Sequence, residues 1–176
     1  MVIKPFLTLA TVLFALHVFA ADFAIYEAQG ARFRYPSSEW YVEPGYGSDS
    51  TVIRRIDGNA TLSAFTGYTS DPGLEQTVST MLAFGKYARG YVLISREKFY
   101  NGVADRKTSN TSAARPNGIR TEYIVRTSEG RPVAIVQYWF TVDEHRYIVI
   151  TGTCLAAVRN IYDPVFDRIA ETVAMK

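Results

Sequence analysis

Pro132-Val133-Ala134-Ile135-Val136-Gln137-Tyr138-Trp139-Phe140-Thr141-Val142 is the stretch on which the fold turns. Its side chains alternate between two faces, with Ile135 and Trp139 on one and Val136, Tyr138 and Phe140 on the other, and both sets are apolar. A strand of that kind is central and covered on both sides, because an exposed face would carry polar residues. On either side lie two more strand-like runs, Ile119 to Thr127 and Arg146 to Cys154. The connections Ser128-Glu129-Gly130-Arg131 and Asp143-Glu144-His145 are too short for crossovers, so the three strands are antiparallel neighbours.

Working towards the N-terminus, the spacing predicts a strand over Tyr91 to Tyr100, a short one over Val103 to Lys107, and a long polar loop over Thr108 to Gly118. Two earlier strands, Thr51 to Ile56 and Ala60 to Tyr68, flank Asp57-Gly58-Asn59, a strong hairpin turn because Gly and Asn tolerate positive φ. Phe23 to Ala28 and Ala31 to Tyr35 are strand-like runs forming a hairpin or a bent strand, Pro36-Ser37-Ser38 breaks the run before Glu39-Trp40-Tyr41-Val42, and a loop is expected at Glu43 to Ser50. Helical cover comes from two segments. One is expected from Asp71-Pro72 to about Ala88, closed by Gly90, packing Leu74, Val78, Met81, Leu82 and Gly85 inward. The other is expected from Asp163-Pro164 to about Ala174, aligning Val165, Ile169 and Val173. The expected class is therefore α+β, an antiparallel sheet flanked by helices on both faces in an α/β/α sandwich.

The first twenty residues read as a secretory signal peptide: Lys4, an apolar run from Phe6 to Phe19, and Val18-Phe19-Ala20 before Ala21. Cleavage is expected between Ala20 and Ala21, leaving residues 21–176 as a single domain, periplasmic or secreted, with no stable transmembrane span. The competing reading is a retained anchor, for which the run is short. One cysteine, Cys154, rules out an internal disulfide and is expected to be a buried strand residue. With 19 Lys and Arg against 17 Asp and Glu, and no block of five like charges, nucleic acid is not an expected partner.

The segments Phe33-Arg34-Tyr35-Pro36-Ser37-Ser38-Glu39-Trp40 and Tyr162-Asp163-Pro164-Val165-Phe166-Asp167-Arg168-Ile169, with the element order between them, resemble the PsbP-like family, which includes Mog1 and periplasmic DcrB-type proteins. The resemblance spans most of residues 21–176 and implies the same sandwich. It also implies binding or assembly factors, acting on photosystem subunits, a small GTPase or envelope components, with no common enzymatic activity. Ala21 stands where a DcrB-type lipoprotein would carry its lipid-attachment cysteine.

Catalytic signatures are missing from the sequence. His145 sits in the Asp143-Glu144-His145-Arg146 turn without a serine motif, so a triad has no support. No zinc or calcium ligand pattern occurs, and no metal or cofactor is expected. Glu27, Glu97, Asp105 and Glu122 leave a carboxylate pair open, but the alternation in Arg120-Thr121-Glu122-Tyr123 reads as charged strand positions opposing apolar ones. Gly45 and Gly47 lack the following helix that a phosphate loop needs. The reading that results is a non-enzymatic exported binding or assembly factor acting on another envelope or secreted protein. Its expected contacts are Tyr46 and Arg115, one in each polar loop, since Tyr and Arg are enriched at binding hot spots. The alternatives are a small-ligand-binding periplasmic protein with a pocket lined by Trp40, Tyr68 or Trp139, and, more distantly, a hydrolase around His145.

Overall fold

The computed structural model describes residues 22–28, 31–43, 50–69, 73–99 and 118–175. In chain order the strands are β1 (Phe23–Ala28), β2 (Ala31–Pro36), β3 (Trp40–Glu43), β4 (Ser50–Arg55), β5 (Ala60–Tyr68), β6 (Val92–Phe99), β7 (Gly118–Arg126), β8 (Pro132–Thr141), β9 (Arg146–Leu155) and β10 (Ala174–Met175). Helix α1 (Leu74–Gly85) lies between β5 and β6, and α2 (Arg159–Glu171) follows a 3₁₀ turn at Ala156–Val158. Seven strands form one antiparallel sheet in the order β3-β4-β5-β9-β8-β7-β6, and a second sheet has the order β1-β2-β10.

The two apolar faces of β8 seed two separate cores. Ala134, Val136, Tyr138 and Phe140 join Ile148 and Ile150 of β9, Leu62 of β5, and Tyr162, Phe166, Ile169 and Ala170 of α2. Ala31, Phe33 and Tyr35 of β2 enter the same cluster, so the small sheet and α2 share that side. The second cluster gathers Trp139, Ile119, Tyr147 and Val149 with Val78 and Leu82 of α1. Close approach of α2 needs a glycine: a Cβ on Gly152 would lie 2.6 Å from the Phe166 ring. At the β4–β5 hairpin, Gly58 takes φ +73° and the Asn59 amide donates to Asp57 Oδ1 at 2.9 Å, the turn chemistry read from the sequence.

Several expectations are corrected. One sheet was expected where there are two: β1 and β2 pair with each other and not with the large sheet, and Ala174 and Met175, past the end of the helix, add a third strand against Arg32 and Ala31. Helix α2 begins at Arg159, ahead of Asp163-Pro164, and carries Pro164 inside it. Proline there forfeits one i→i−4 hydrogen bond, a loss offset by burial of Tyr162, Phe166, Ile169 and Ala170 on one stripe. Helix α1 ends at Gly85 and is followed by turns, and Met81 is exposed where inward packing was expected. The strand at Val103 to Lys107, the loop at Thr108 to Gly118 as far as Asn117, the Asp71-Pro72 helix start and the leader through Ala20 lie outside the described residues.

Candidate functional site

Tyr46 and Arg115, the two contact residues expected from the loops, lie outside the described residues. The aromatic pocket does not form: Trp40 and Trp139 belong to different cores, and Tyr68 is 75% exposed. They sit on three different strands, β3, β5 and β8, at positions that the strand order and the alternation of faces keep apart. His145 is at the tip of the β8–β9 hairpin, exposed. There Asp143 Oδ1 accepts from the amides of His145 at 3.0 Å and Arg146 at 2.8 Å, while Oδ2 accepts from Arg146 Nε at 2.5 Å. The hydrogen bond from Arg146 and those from the two amides hold the Asp143 carboxyl below its ordinary value. A cleft of about 470 Å³ beside it is lined by residues including Thr69, Leu74, Thr77, His145 and Tyr147. Thr77 Oγ1, at the base of α1, is already engaged with Gly73 O and Thr69 Oγ1, both at 3.2 Å.

Charge is concentrated elsewhere, on the side of the sheet that α2 covers. Arg120 Nη1 donates to Glu122 Oε2 at 3.0 Å and to Glu97 Oε1 and Ser95 Oγ at 3.3 Å; its Nε donates to Asp167 Oδ1 at 3.0 Å. Tyr138 Oη donates to the same Asp167 oxygen. Arg159 Nε lies 3.2 Å from Glu122 Oε1 and 3.6 Å from Asp163 Oδ2. Burial, reinforced by the neighbouring Glu122 charge, lifts the Asp163 carboxyl to about 6. Arg120 and Glu122 are themselves buried, against the expectation that their strand face was solvated. Burial of the pair is possible because α2 brings Arg159, Asp163 and Asp167 over the sheet at i, i+4 and i+8, one stripe of the helix. That spacing was readable in the sequence beside the Arg120-x-Glu122 pair, and it was the missed signal. Glu27 lies on the small sheet, away from Glu97 and Glu122 of the large one, and Asp105 lies outside the described residues.

The network is a set of ion pairs centred on Arg120 and Glu122. None of its residues lines the cleft at His145, and its acids are neutralised by guanidiniums or held under α2. Cys154, buried nearby, has its thiol pushed up to about 11 by burial and by the Asp163 charge, which leaves it protonated and unreactive. Among the described residues no group of His, Cys, Asp and Glu is arranged to hold a metal ion, and no helix is long and apolar enough to cross a membrane.

Surface chemistry stands out at one sheet edge. β6 is the terminal strand of the large sheet, and Val92, Leu93 and Ile94 at its start are each more than 40% exposed. The register shifts between Leu93 and Ser95, leaving Ile94 out of the pairing with β7. Beyond that bulge the strand turns charged, with Arg96, Glu97 and Lys98, a composition that discourages edge pairing. Arg96 is drawn back onto α1 by Glu75 and by Ser79 Oγ at 3.0 Å. Exposed apolar surface is thus confined to the first three residues of the strand, next to the connection that carries exposed Tyr87.

No family model and no curated protein matches the sequence. Solved structures do. The chain is similar to cyanobacterial PsbP from Synechocystis, at 17% identity and a TM-score of 0.57, covering 90% of this chain and 95% of that one. It is similar to a Mog1 point mutant at 7% identity and a TM-score of 0.57, covering 88% and 96%. A Pseudomonas aeruginosa protein of unknown function, described as a putative regulator, matches at 14% identity and a TM-score of 0.54, covering 88% and 97%. With mainly antiparallel sheet and two helices among its described residues, the chain has the PsbP/Mog1-like fold.

Proposed function

We propose that this chain is a non-enzymatic, exported accessory factor that binds another protein of the cell envelope. The architecture that suits this is a mainly antiparallel sheet with two packed helices, presenting its edges and loops to a partner. The carrying observation is the run Val92-Leu93-Ile94 at the open end of β6, exposed and apolar on a strand otherwise guarded by charge. Such a strand start is a place where a partner's segment adds main-chain hydrogen bonds and covers three side chains. The leader read in residues 1–20 supports an envelope location, and the similarity to PsbP and Mog1 structures supports the scaffold alone.

The test is capture from envelope extract by the chain beginning at Ala21, with wild type and the double variant Val92→Asp/Ile94→Asp compared at equal loading. A saturable partner retained by wild type and lost in the variant supports the reading. Equal retention by both, with the variant folded by circular dichroism, removes the β6 edge from the function. The alternative of a small ligand rests on the cleft at His145; native mass spectrometry of the protein as purified would show a mass increment displaced in Thr77→Phe.

A further inference from the structure

The small sheet has an outer face that its own core does not use. Phe23, Ile25 and Glu27 of β1 stand opposite Pro36, Arg34 and Arg32 of β2 in the register, and all alternate with the inward residues Ala31, Phe33 and Tyr35. Phe23 is 54% and Ile25 59% exposed, large apolar side chains left in water on a strand that forms the sheet's edge. Beside them are two arginines on one strand face. Among the described residues no carboxylate comes within ion-pair distance of either guanidinium, although Glu27 lies opposite Arg32. A cleft of about 420 Å³ opens on this face, lined by Ile25, Arg32, Phe33, Arg34, Glu171 and Thr172.

From this arrangement we infer that the outer face of β1 and β2 rests on an anionic bilayer surface. Phe23 and Ile25 enter the interface while Arg32 and Arg34 reach headgroup phosphates, the division of labour of an interfacial amphipathic surface. Two observations choose a membrane over other occupants. The first is charge: two cations without an ion-pair partner among the described residues flank the apolar pair, and bidentate guanidinium–phosphate bonding suits them. The second is position. The apolar run read as a leader ends at Ala20 in the sequence, and three residues span at most about 10 Å, so a leader that enters the bilayer during export would deliver Phe23 close to its surface.

Flotation decides the matter. The chain from Ala21 to Lys176, which keeps every described residue, is mixed with vesicles of phosphatidylglycerol and phosphatidylethanolamine, or of phosphatidylcholine alone. Wild type should float with the anionic vesicles and be released by salt. Arg32→Gln/Arg34→Gln should partition about twenty-fivefold more weakly, at about fivefold per arginine near an anionic surface. Phe23→Ser/Ile25→Ser should also lose binding, with circular dichroism unchanged in both double variants. Equal flotation of wild type with both vesicle types overturns the inference, as does wild-type behaviour of the arginine variant. Full competition by soluble glycerol phosphate would show an isolated anion site in place of a surface, and a dimer in sedimentation that both double variants dissolve would give the face to a second copy; either result also overturns it.

Discussion

Replacing Asp163 with asparagine should stabilise the protein at neutral pH, and by an amount that depends on pH in a specified way. The carboxyl sits at about 6 in the folded chain against an ordinary 3.8. The folded state therefore binds this proton more tightly than the unfolded chain, and ionisation of Asp163 works against folding. Below 3.8 both states hold the proton and the group contributes nothing. Between 3.8 and 6 the unfolded chain is ionised first and the penalty grows; above 6 it is constant. At about 1.4 kcal/mol per tenfold in proton affinity the ceiling is about 3 kcal/mol. The side chain is about one-fifth exposed and Arg159 lies 3.6 Å away, so about 1 to 2 kcal/mol is the realistic gain. Asparagine keeps the shape and removes the charge. Urea titrations followed by the fluorescence of buried Trp40 and Trp139 should show Asp163→Asn above wild type at pH values over about 7, the gap closing towards about pH 3.5. An equal midpoint at neutral pH, or a gap that does not change with pH, would refute the assignment of that charge as buried and costly.

The same network predicts an asymmetry between single and double changes. Arg120→Met leaves Glu122, buried under α2, and Asp167, on α2, without a shared partner and should cost about 3 to 5 kcal/mol, whereas Arg120→Met/Glu122→Leu should recover much of it, read from the same denaturation curves. Gly152→Ala drives a methyl into the Phe166 ring and should lower stability by about 1 to 3 kcal/mol, with the loss seen in thermal melts. Cys154 should resist a thiol reagent at mildly alkaline pH in the native protein and react once denatured; rapid native labelling would contradict its burial.

Much of the large sheet was legible because its signals are local. The two-sided apolar pattern of β8, the short connections on either side and Asp57-Gly58-Asn59 each fix geometry within a few residues, and β5, β8 and β9 fall close to where the pattern put them. What escaped depends on distant partners. Arg120 and Glu122 follow the same alternation as solvated strand charges; only the arrival of Asp167 and Arg159 some forty residues later makes them interior. The C-terminal strand escaped for the same reason, since two residues have no pattern of their own and β10 exists only because Arg32 and Ala31 offer an edge. Pro164 misled in another way: its preference for a helix start is real, but burial of the Tyr162 and Phe166 rings decides where the helix runs. For the site, the β6 edge was visible as Val92-Leu93-Ile94 in sequence, yet its exposure follows from strand order, which no local pattern states.

The pairing of β2 with β10 has a kinetic side. Arg34 N donates to Thr172 Oγ1 at 2.8 Å, and Ala174 and Met175 close the sheet against residues at the other end of the chain. Contacts of such separation form late, since the loop they close must be ordered first. A chain threaded through a membrane from its N-terminus would thus present β1 and β2 for most of its passage without their third strand. Removing the last few residues should leave the large sheet able to form while the small sheet frays, and the rate at which that sheet locks would report on the arrival of the C-terminus.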